Sequence, residues 1–215
     1  MRSDIYQLTD FLRQNGIVNS DINTFAEIGS RDGHDSDYIK KFWDLKNQDV
    51  YIFEAHPECY KSIRSRYPLY KSYNVAVTNK TGIVGFNAGV VGKEPNVGIS
   101  SLLERSNNPD FIYDRIEVDG WALDDIVTTL NLPKLDIIKI DVEGATKQVL
   151  SGFEKNIINT KFIQIELETE IVWDNQTIYN EIVDLMSLYG FDVVNDVVIS
   201  NNQKDTLFKN KSYII

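Results

Sequence analysis

The sequence contains very little cysteine and histidine. Cys59 is the single cysteine, which excludes an internal disulfide and a cysteine-based zinc cluster. The two histidines, His34 and His56, are too few for most histidine-based metal sites. No uninterrupted apolar run approaches the roughly 20 residues that a membrane-spanning helix needs. The amino terminus lacks the apolar segment of a signal peptide, and we therefore expect a cytoplasmic protein without a membrane partner.

Positive charge is also scarce. The chain has 22 lysines and arginines against 32 aspartates and glutamates, a net charge of −10. Proteins that bind nucleic acid usually carry a basic surface, because phosphate contacts dominate the affinity. The charge therefore argues against a nucleic-acid partner and favours a small molecule or glycan. The 215 residues fit a single domain, a monomer or homodimer, or one domain of a larger glycan-modifying protein.

Short apolar strands alternate with amphipathic helices after a helical segment within residues 1–22, which Ser3 can cap and Gly16 can end. Strands are predicted at residues 24–28, 50–54, 73–77, 83–86, 135–141, 162–167, 191–199 and 206–214. Helices are predicted at residues 35–43, from residue 57, and at 123–130, 146–153 and 177–189. This alternation predicts a mainly parallel sheet with helices on both faces, and the last two strands form an antiparallel pair. Residues 89–115 lack periodicity, which predicts a long loop over the substrate side.

Glycine and acidic residues follow the first two predicted strands. Residues 27–33 read EIGSRDG, and Gly29 and Gly33 let a turn fold tightly while a ligand approaches the backbone. Amide groups at the start of the next helix can then hold an anionic group. Glu54 follows the second strand, where an acidic side chain can accept hydrogen bonds from ribose hydroxyls. A plain strand-to-helix turn and a surface glutamate remain alternatives.

More acidic residues end the fourth and fifth strands. Asp141 ends a nearly continuous apolar strand, where a buried carboxylate is costly unless it is paired, ligated or used as a helix cap. Glu143 follows it, either as a functional group or as a favourable charge at the next helix. Glu166 and Glu168 alternate onto one side of the fifth strand. Asp141, Glu166 and Glu168 thus offer a possible Mg²⁺ site, although surface acids would look alike and we expect no metal.

Several motifs, taken together and in order, resemble those of FkbM-type methyltransferases. They are EIGSRDG at residues 27–33, FEAHP at 53–57, NVAV at 74–77, ISS at 99–101, IKIDVEGA at 138–145 and IE at 165–166. The resemblance runs from about residue 24 to residue 168, and IKIDVEGA is its most specific part. It implies a class I, Rossmann-like methyltransferase sheet of seven strands with an antiparallel C-terminal strand. It also implies S-adenosylmethionine as the methyl donor and O-methylation of a sugar, glycan or related product.

The resemblance also assigns roles to individual residues. The implied cofactor-binding set is Glu27, Gly29, Ser30, Arg31, Asp32, Gly33, Glu54, Ala55, Asn74, Val75, Ala76 and Asp141. Within this set, Glu27 and the two glycines would hold the methionine part, Glu54 the ribose, and residues 74–76 the adenine. Asp141 would lie beside the sulfonium and the acceptor.

Methyl transfer to an alcohol is an in-line displacement that needs alignment and a base. We predict Asp141 as that base, with Glu143 or Glu166 in reserve. Ser100, Ser101 and Glu168 are predicted to contact the substrate, and Phe111 or Tyr113 to stack on a sugar. In the alternative, a metal at the carboxylates would lower the pKa of the hydroxyl instead.

Other functions find less support in the sequence. A non-catalytic module that keeps the nucleoside pocket is the main alternative, although the presence of both Glu54 and Asp141 counts against it. A nicotinamide-dependent reductase would need a third glycine in the first turn. A hydrolase of the G-x-S-x-G type has no matching motif.

Overall fold

The computed structural model describes residues 4–91, 94–95, 97–105 and 112–214. Its α-helices are α1 (Asp4–Gln14), α2 (His34–Trp43), α3 (Pro57–Arg66), α4 (Leu123–Thr129), α5 (Thr146–Ser151) and α6 (Tyr179–Leu188). Its strands are β1 (Phe25–Ile28), β2 (Val50–Phe53), β3 (Lys71–Tyr73), β4 (Ala76–Thr78), β5 (Gly82–Val91), β6 (Glu94–Pro95), β7 (Ile112–Ala122), β8 (Ile137–Ile140), β9 (Phe162–Glu168), β10 (Phe191–Ser200) and β11 (Gln203–Asn210). Within the described residues, no helix has both the length and the apolar character needed to cross a bilayer.

Seven strands form the main sheet in the order β10-β11-β9-β8-β1-β2-β3. Strands β3, β2, β1, β8 and β9 pair in parallel, whereas β11 is antiparallel to both β9 and β10. This confirms the predicted seven-stranded, mainly parallel sheet with an antiparallel C-terminal strand. The chain runs outward from β1 to β3 and then returns to β8 on the other side of β1. In such sheets, ligands bind at the carboxyl ends of the strands around this reversal.

The main sheet separates two hydrophobic cores. Side chains alternate along the central strands, so Phe25 and Ile137 pack with α1, α2 and α3, whereas Ala26 and Ile138 pack with α4, α5 and α6. All four side chains are fully buried. Burial of each large apolar side chain contributes roughly 1.5–3 kcal/mol, which holds helices against both faces.

The N-terminal helix ends close to where the sequence predicts. Helix α1 ends at Gln14, and Gly16 has a φ of +86°, a left-handed conformation that favours glycine after a helix. The predicted N-cap, Ser3, lies outside the described residues.

A second sheet, with the order β4-β7-β5-β6, was not predicted. The predicted strand 73–77 is wrong as one element: β3 ends at Tyr73, and β4 begins at Ala76 in the second sheet. Between them, the Asn74 amide donates hydrogen bonds to the carbonyls of Glu54 (2.8 Å) and Ala55 (3.0 Å). These bonds stabilise the break that carries the chain from one sheet to the other.

The predicted loop at residues 89–115 is shorter than expected. Strands β5 and β7 pair in antiparallel register as far as Val90 opposite Ile112, so residues 89–91 and 112–115 belong to strands. Gly85 and Gly89 interrupt the apolar pattern of β5, and most of β7 from residue 112 to 117 is exposed or half-buried. The two-residue periodicity that identifies a strand in a sequence is therefore weak here.

Candidate functional site

A cavity of about 190 Å³ lies at the carboxyl ends of β1, β2 and β8. One part of its wall is apolar and contains Phe53, Val75, Val77 and Phe86. The Phe53 ring stacks on Tyr73 with the ring centroids 5.4 Å apart, which holds the Phe53 ring in place. Such a wall suits a flat, apolar ring system. Of these residues, only Val75 belongs to the predicted cofactor-binding set.

The strand ends approach each other very closely at Gly29. Its amide donates to the Phe53 carbonyl (2.9 Å), and the Asp141 amide donates to the Ile28 carbonyl (2.9 Å). Gly29 has a φ of +80°, and a Cβ there would lie 1.8 Å from the backbone oxygen of Asp141. Glycine is therefore required at this position by the neighbouring strand, in addition to any ligand.

Glu54 is a buried carboxylate on the cavity wall. It is 6% exposed, and its two oxygens accept hydrogen bonds from the backbone amides of Arg31 (2.7 Å) and His56 (2.7 Å). Burial raises its pKa, and these amide groups oppose the rise. Because a carboxylate oxygen has two lone pairs, each can also accept a hydrogen bond from a ligand hydroxyl. Arg31 and Ala55 line the cavity beside Glu54.

Several residues of the predicted cofactor set do not line the cavity. Glu27 is 1% exposed and points towards α2, where it accepts hydrogen bonds from the Ser30 hydroxyl (2.9 Å) and from the amide and hydroxyl of Ser36. Asp32 accepts the backbone amide that begins α2 (3.0 Å), and Gly33 precedes that helix with a φ of +78°. Glu27, Asp32 and Gly33 thus shape the turn after β1. Asn74 instead holds the turn after β2, through its bonds to Glu54 and Ala55. Gly29, Val75 and Ala76 do line the cavity.

Three carboxylates meet on the wall of the same cavity. Asp141, Glu143 and Glu166 each offer an oxygen within 4.8 Å of the other two, and all three line the cavity. Burial, followed by repulsion from Asp141, raises the pKa of Glu143 to about 8 and that of Glu166 to about 10. Such a cluster can attract a cation, accept a proton or offer hard oxygen ligands to a metal ion.

Glu168, predicted for the substrate and for a possible metal, is not part of this cluster. It is 5% exposed, and its carboxylate accepts a hydrogen bond from the Gln176 amide (2.6 Å). The Gln176 carbonyl oxygen in turn accepts the backbone amides of Val172 (2.8 Å) and Trp173 (3.1 Å). Glu168 therefore holds the segment after β9, and Glu143 takes its place in the cluster.

Lys139 is a site residue that the sequence analysis missed. It is 8% exposed, and its ammonium group lies 2.6 Å from the Asp35 carboxylate and 3.3 Å from that of Asp141. A buried lysine needs such partners, because an isolated ammonium group is costly to remove from water. A single lysine within the apolar run of β8 was a signal that could have identified it.

Residues 97–105, here called the covering segment, close one side of the cavity. Gly98, Ser100 and Leu102 line it, whereas Ser101 is 1% exposed and lies behind the wall. Tyr113 is on β7 and does not line the cavity, and Phe111 lies outside the described residues. The structure thus brings Ser100 to the site and gives Ser101 a different position.

Comparisons with known proteins point to one family. A family model described as the methyltransferase FkbM domain matches residues 27–193. The 2-O-methyltransferase NoeI of Sinorhizobium fredii is 24% identical over 194 residues, which span 82% of this chain and 79% of that protein.

Two solved structures share the fold at low sequence identity. Methyltransferase FkbM from Methylobacillus flagellatus KT has a TM-score of 0.56 at 12% identity, over 88% of this chain and 44% of that chain. This chain therefore matches less than half the length of that protein. Magnesium protoporphyrin IX methyltransferase (ChlM) from Synechocystis PCC 6803, solved with bound SAM, has a TM-score of 0.55 at 8% identity, over 96% and 77% of the two chains. The fold is that of class I methyltransferases, and, since the family model matches most of its length, the chain belongs to the FkbM methyltransferase family.

Proposed function

We propose that this protein transfers a methyl group from S-adenosylmethionine to a hydroxyl of a sugar, glycan or related small molecule. The observation that carries the proposal is the convergence of Glu54 and the carboxylates of Asp141, Glu143 and Glu166 on one cavity. The family membership supports methyl transfer. The similarity to a 2-O-methyltransferase supports a hydroxyl as the acceptor.

The residues of the cavity fit a nucleoside-containing donor. Glu54 has the acceptor capacity for ribose hydroxyls, and the apolar wall around Phe53 and Val75 suits an adenine ring. Gly29 and Arg31 would face the methionine part. Among similar folds, the ChlM structure contains bound SAM, which agrees with this assignment.

Asp141 is the proposed base. Bound S-adenosylmethionine supplies an electrophilic methyl group, whose bond to sulfur breaks as the bond to the acceptor oxygen forms. Asp141 accepts the proton of that oxygen, and the ion pair with Lys139 (3.3 Å) keeps its carboxylate oriented. Glu143, whose pKa is about 8, keeps its proton at neutral pH and can donate a hydrogen bond to another acceptor oxygen.

A screen with purified protein tests this function. The protein is incubated with S-adenosylmethionine and a panel of neutral saccharides, and methylated products are detected by mass spectrometry. Asp141→Asn should lower turnover by roughly 100-fold or more, because it removes the base, while binding of S-adenosylhomocysteine persists. Glu117→Gln, an exposed acid on β7 outside the cavity, should behave as wild type.

Two outcomes would contradict the proposal. Near-normal turnover of Asp141→Asn would remove Asp141 from the mechanism. Binding of S-adenosylhomocysteine without methylation of any acceptor in the panel would favour a non-catalytic nucleoside-binding module with the same fold.

A further inference from the structure

Two adjacent serines of the covering segment have different surroundings. Ser100 lines the cavity, and its hydroxyl accepts the Gly89 amide (3.0 Å). The Ser101 hydroxyl donates to the backbone carbonyl of Glu143 (2.6 Å) and accepts the Leu103 amide (3.0 Å). The Ser101 hydroxyl therefore donates its proton to a group of the protein. It contacts the turn after β8, which contains Glu143, and not the cavity.

The carbonyl that Ser101 holds lies at a sharp bend. Glu143 has a φ of +50° and Gly144 a φ of +83°, so two successive residues are left-handed between β8 and α5. The direction of the Glu143 carbonyl depends on the ψ angle of Glu143. A bond that fixes this carbonyl therefore restricts the backbone angles that determine where the Glu143 side chain points. Trp173 packs closely against the bend as well: a Cβ at Gly144 would lie 2.5 Å from its ring. The bend is thus held by a hydrogen bond from Ser101 at Glu143 and by packing of Trp173 at Gly144.

Ser101 is itself anchored to the second sheet. Its backbone pairs with Asn87 of β5 through two hydrogen bonds (2.8 and 3.1 Å). The side-chain amide of Asn87 also donates to the Leu103 carbonyl (2.9 Å). A continuous path of hydrogen bonds therefore runs from β5 through Ser101 to the backbone of Glu143.

We propose that Ser101 is a positioning residue that holds the Glu143 carboxylate beside Asp141 and Glu166 while the acceptor contacts the covering segment. The inference rests on the proposed function for its effect on turnover, but not for the contact itself. It also changes the role of Ser101 from a substrate contact, as predicted from the sequence, to a support behind the site.

The contact is tested first without any acceptor, by hydrogen–deuterium exchange of the intact protein. Ser101→Ala should speed exchange in peptides spanning residues 141–147 by roughly tenfold, because the bend loses the hydrogen bond that holds the Glu143 carbonyl. Asn87→Ala is the matched control, since it removes one bond to the covering segment and leaves the bond between Ser101 and Glu143. It should speed exchange in residues 97–105 only. Unchanged exchange in residues 141–147 of Ser101→Ala would overturn the proposal.

Turnover is measured next, with an acceptor found in the saccharide screen. Ser101→Ala should lower kcat by roughly 10- to 100-fold with the affinity for S-adenosylhomocysteine kept within about twofold, because only the carboxylate cluster is misaligned. Ser101→Cys, of similar size and a weaker donor, should fall between Ser101→Ala and wild type. Equal losses of kcat and of ligand affinity, or equal kcat losses in Ser101→Ala and Asn87→Ala, would reduce Ser101 to a general structural role and overturn the proposal. If wild type methylates no acceptor, the proposed function fails, and the exchange experiment still decides whether Ser101 holds the Glu143 bend.

Discussion

Glu143 combines a strained backbone with a half-buried carboxyl group whose pKa is raised. A left-handed φ in a residue with a side chain costs roughly 1–2 kcal/mol, and burial of its carboxylate adds a penalty that raises its pKa to about 8. Surrounding contacts, including the Ser101 bond, must offset both costs. Unfavourable features of this kind persist most often where they serve function, and Glu143 lies on the cavity wall.

The pKa of Glu143 predicts how stability depends on pH. Its ordinary value is 4.5 and its folded value about 8, so between these values the folded protein binds more protons than the unfolded chain. The free energy of unfolding should therefore fall as pH rises through this window. Glu143→Gln should make the fall smaller, as measured by urea unfolding at about pH 5 and about pH 8.5. A fall as steep as in wild type or in Glu117→Gln would contradict the assignment.

The ion pair between Lys139 and Asp141 leads to a prediction for metal removal. Its ammonium group already lies beside Asp141 and supplies positive charge to the carboxylate cluster. We therefore expect EDTA to leave the rate of methyl transfer unchanged. A loss of rate that Mg²⁺ restores would show instead that Asp141, Glu143 and Glu166 bind a cation, as their oxygens within 4.8 Å of one another would permit.

At the scale of elements, the turns after β1 and β8 place the functional groups. Each turn contains a left-handed glycine packed against a neighbour that cannot easily move. Gly29 faces the Asp141 backbone, and Gly144 faces the Trp173 ring. Gly190, which follows α6 with a φ of +86°, has nothing within 4 Å of where its Cβ would lie. All three glycines have a left-handed backbone, but only Gly29 and Gly144 have close neighbours. A comparison among them therefore distinguishes the cost of backbone strain from the cost of close packing.

Alanine substitutions measure the two effects. Gly190→Ala should lower the free energy of unfolding by roughly 1–2 kcal/mol, the cost of a left-handed residue with a side chain. Gly29→Ala should cost clearly more, since its Cβ would lie 1.8 Å from a backbone oxygen, and Gly144→Ala should fall between the two. Urea unfolding measures all three. Equal losses would show that packing at the strand ends adds nothing to strain.

At the scale of the whole molecule, the cavity connects the two sheets. The main sheet supplies Gly29, Glu54 and Asp141, whereas the second sheet supplies Val77 and Phe86. A ligand that fills the cavity contacts both sheets at once. Its binding should therefore stabilise the folded chain as a unit.

Thermal unfolding with S-adenosylhomocysteine tests this coupling. A ligand at about 100 times its Kd adds about 2.7 kcal/mol to the free energy of unfolding. For a chain of this size, we expect the Tm to rise by roughly 5–10 °C. Glu54→Gln should reduce the shift, because a neutral amide accepts hydroxyl hydrogen bonds more weakly, whereas Glu117→Gln should retain it. No shift in wild type would contradict the proposed donor.

Local patterns in the sequence were enough to determine the main sheet and the edge at which its site lies. Strand and helix periodicities are set by neighbouring residues, and parallel strands place their carboxyl ends at one edge. Gly29, Glu54 and Asp141 were therefore predictable as residues of that edge. The second sheet was not, because glycines and exposed polar residues in β5 and β7 obscure its periodicity.

Only the tertiary structure decided which side chains face the cavity. Glu27 and Glu168 are glutamates like Glu143, yet the side chain of Glu27 points towards α2 and that of Glu168 towards Gln176. Ser101 differs from Ser100 by one position and lies behind the wall. These outcomes depend on left-handed turns and on which partners the fold brings within reach, such as Glu143 for Ser101, and no local pattern encodes either. The physical reason is that residue type sets the chemistry of a group, whereas its direction is set by the backbone angles and packing of the complete fold.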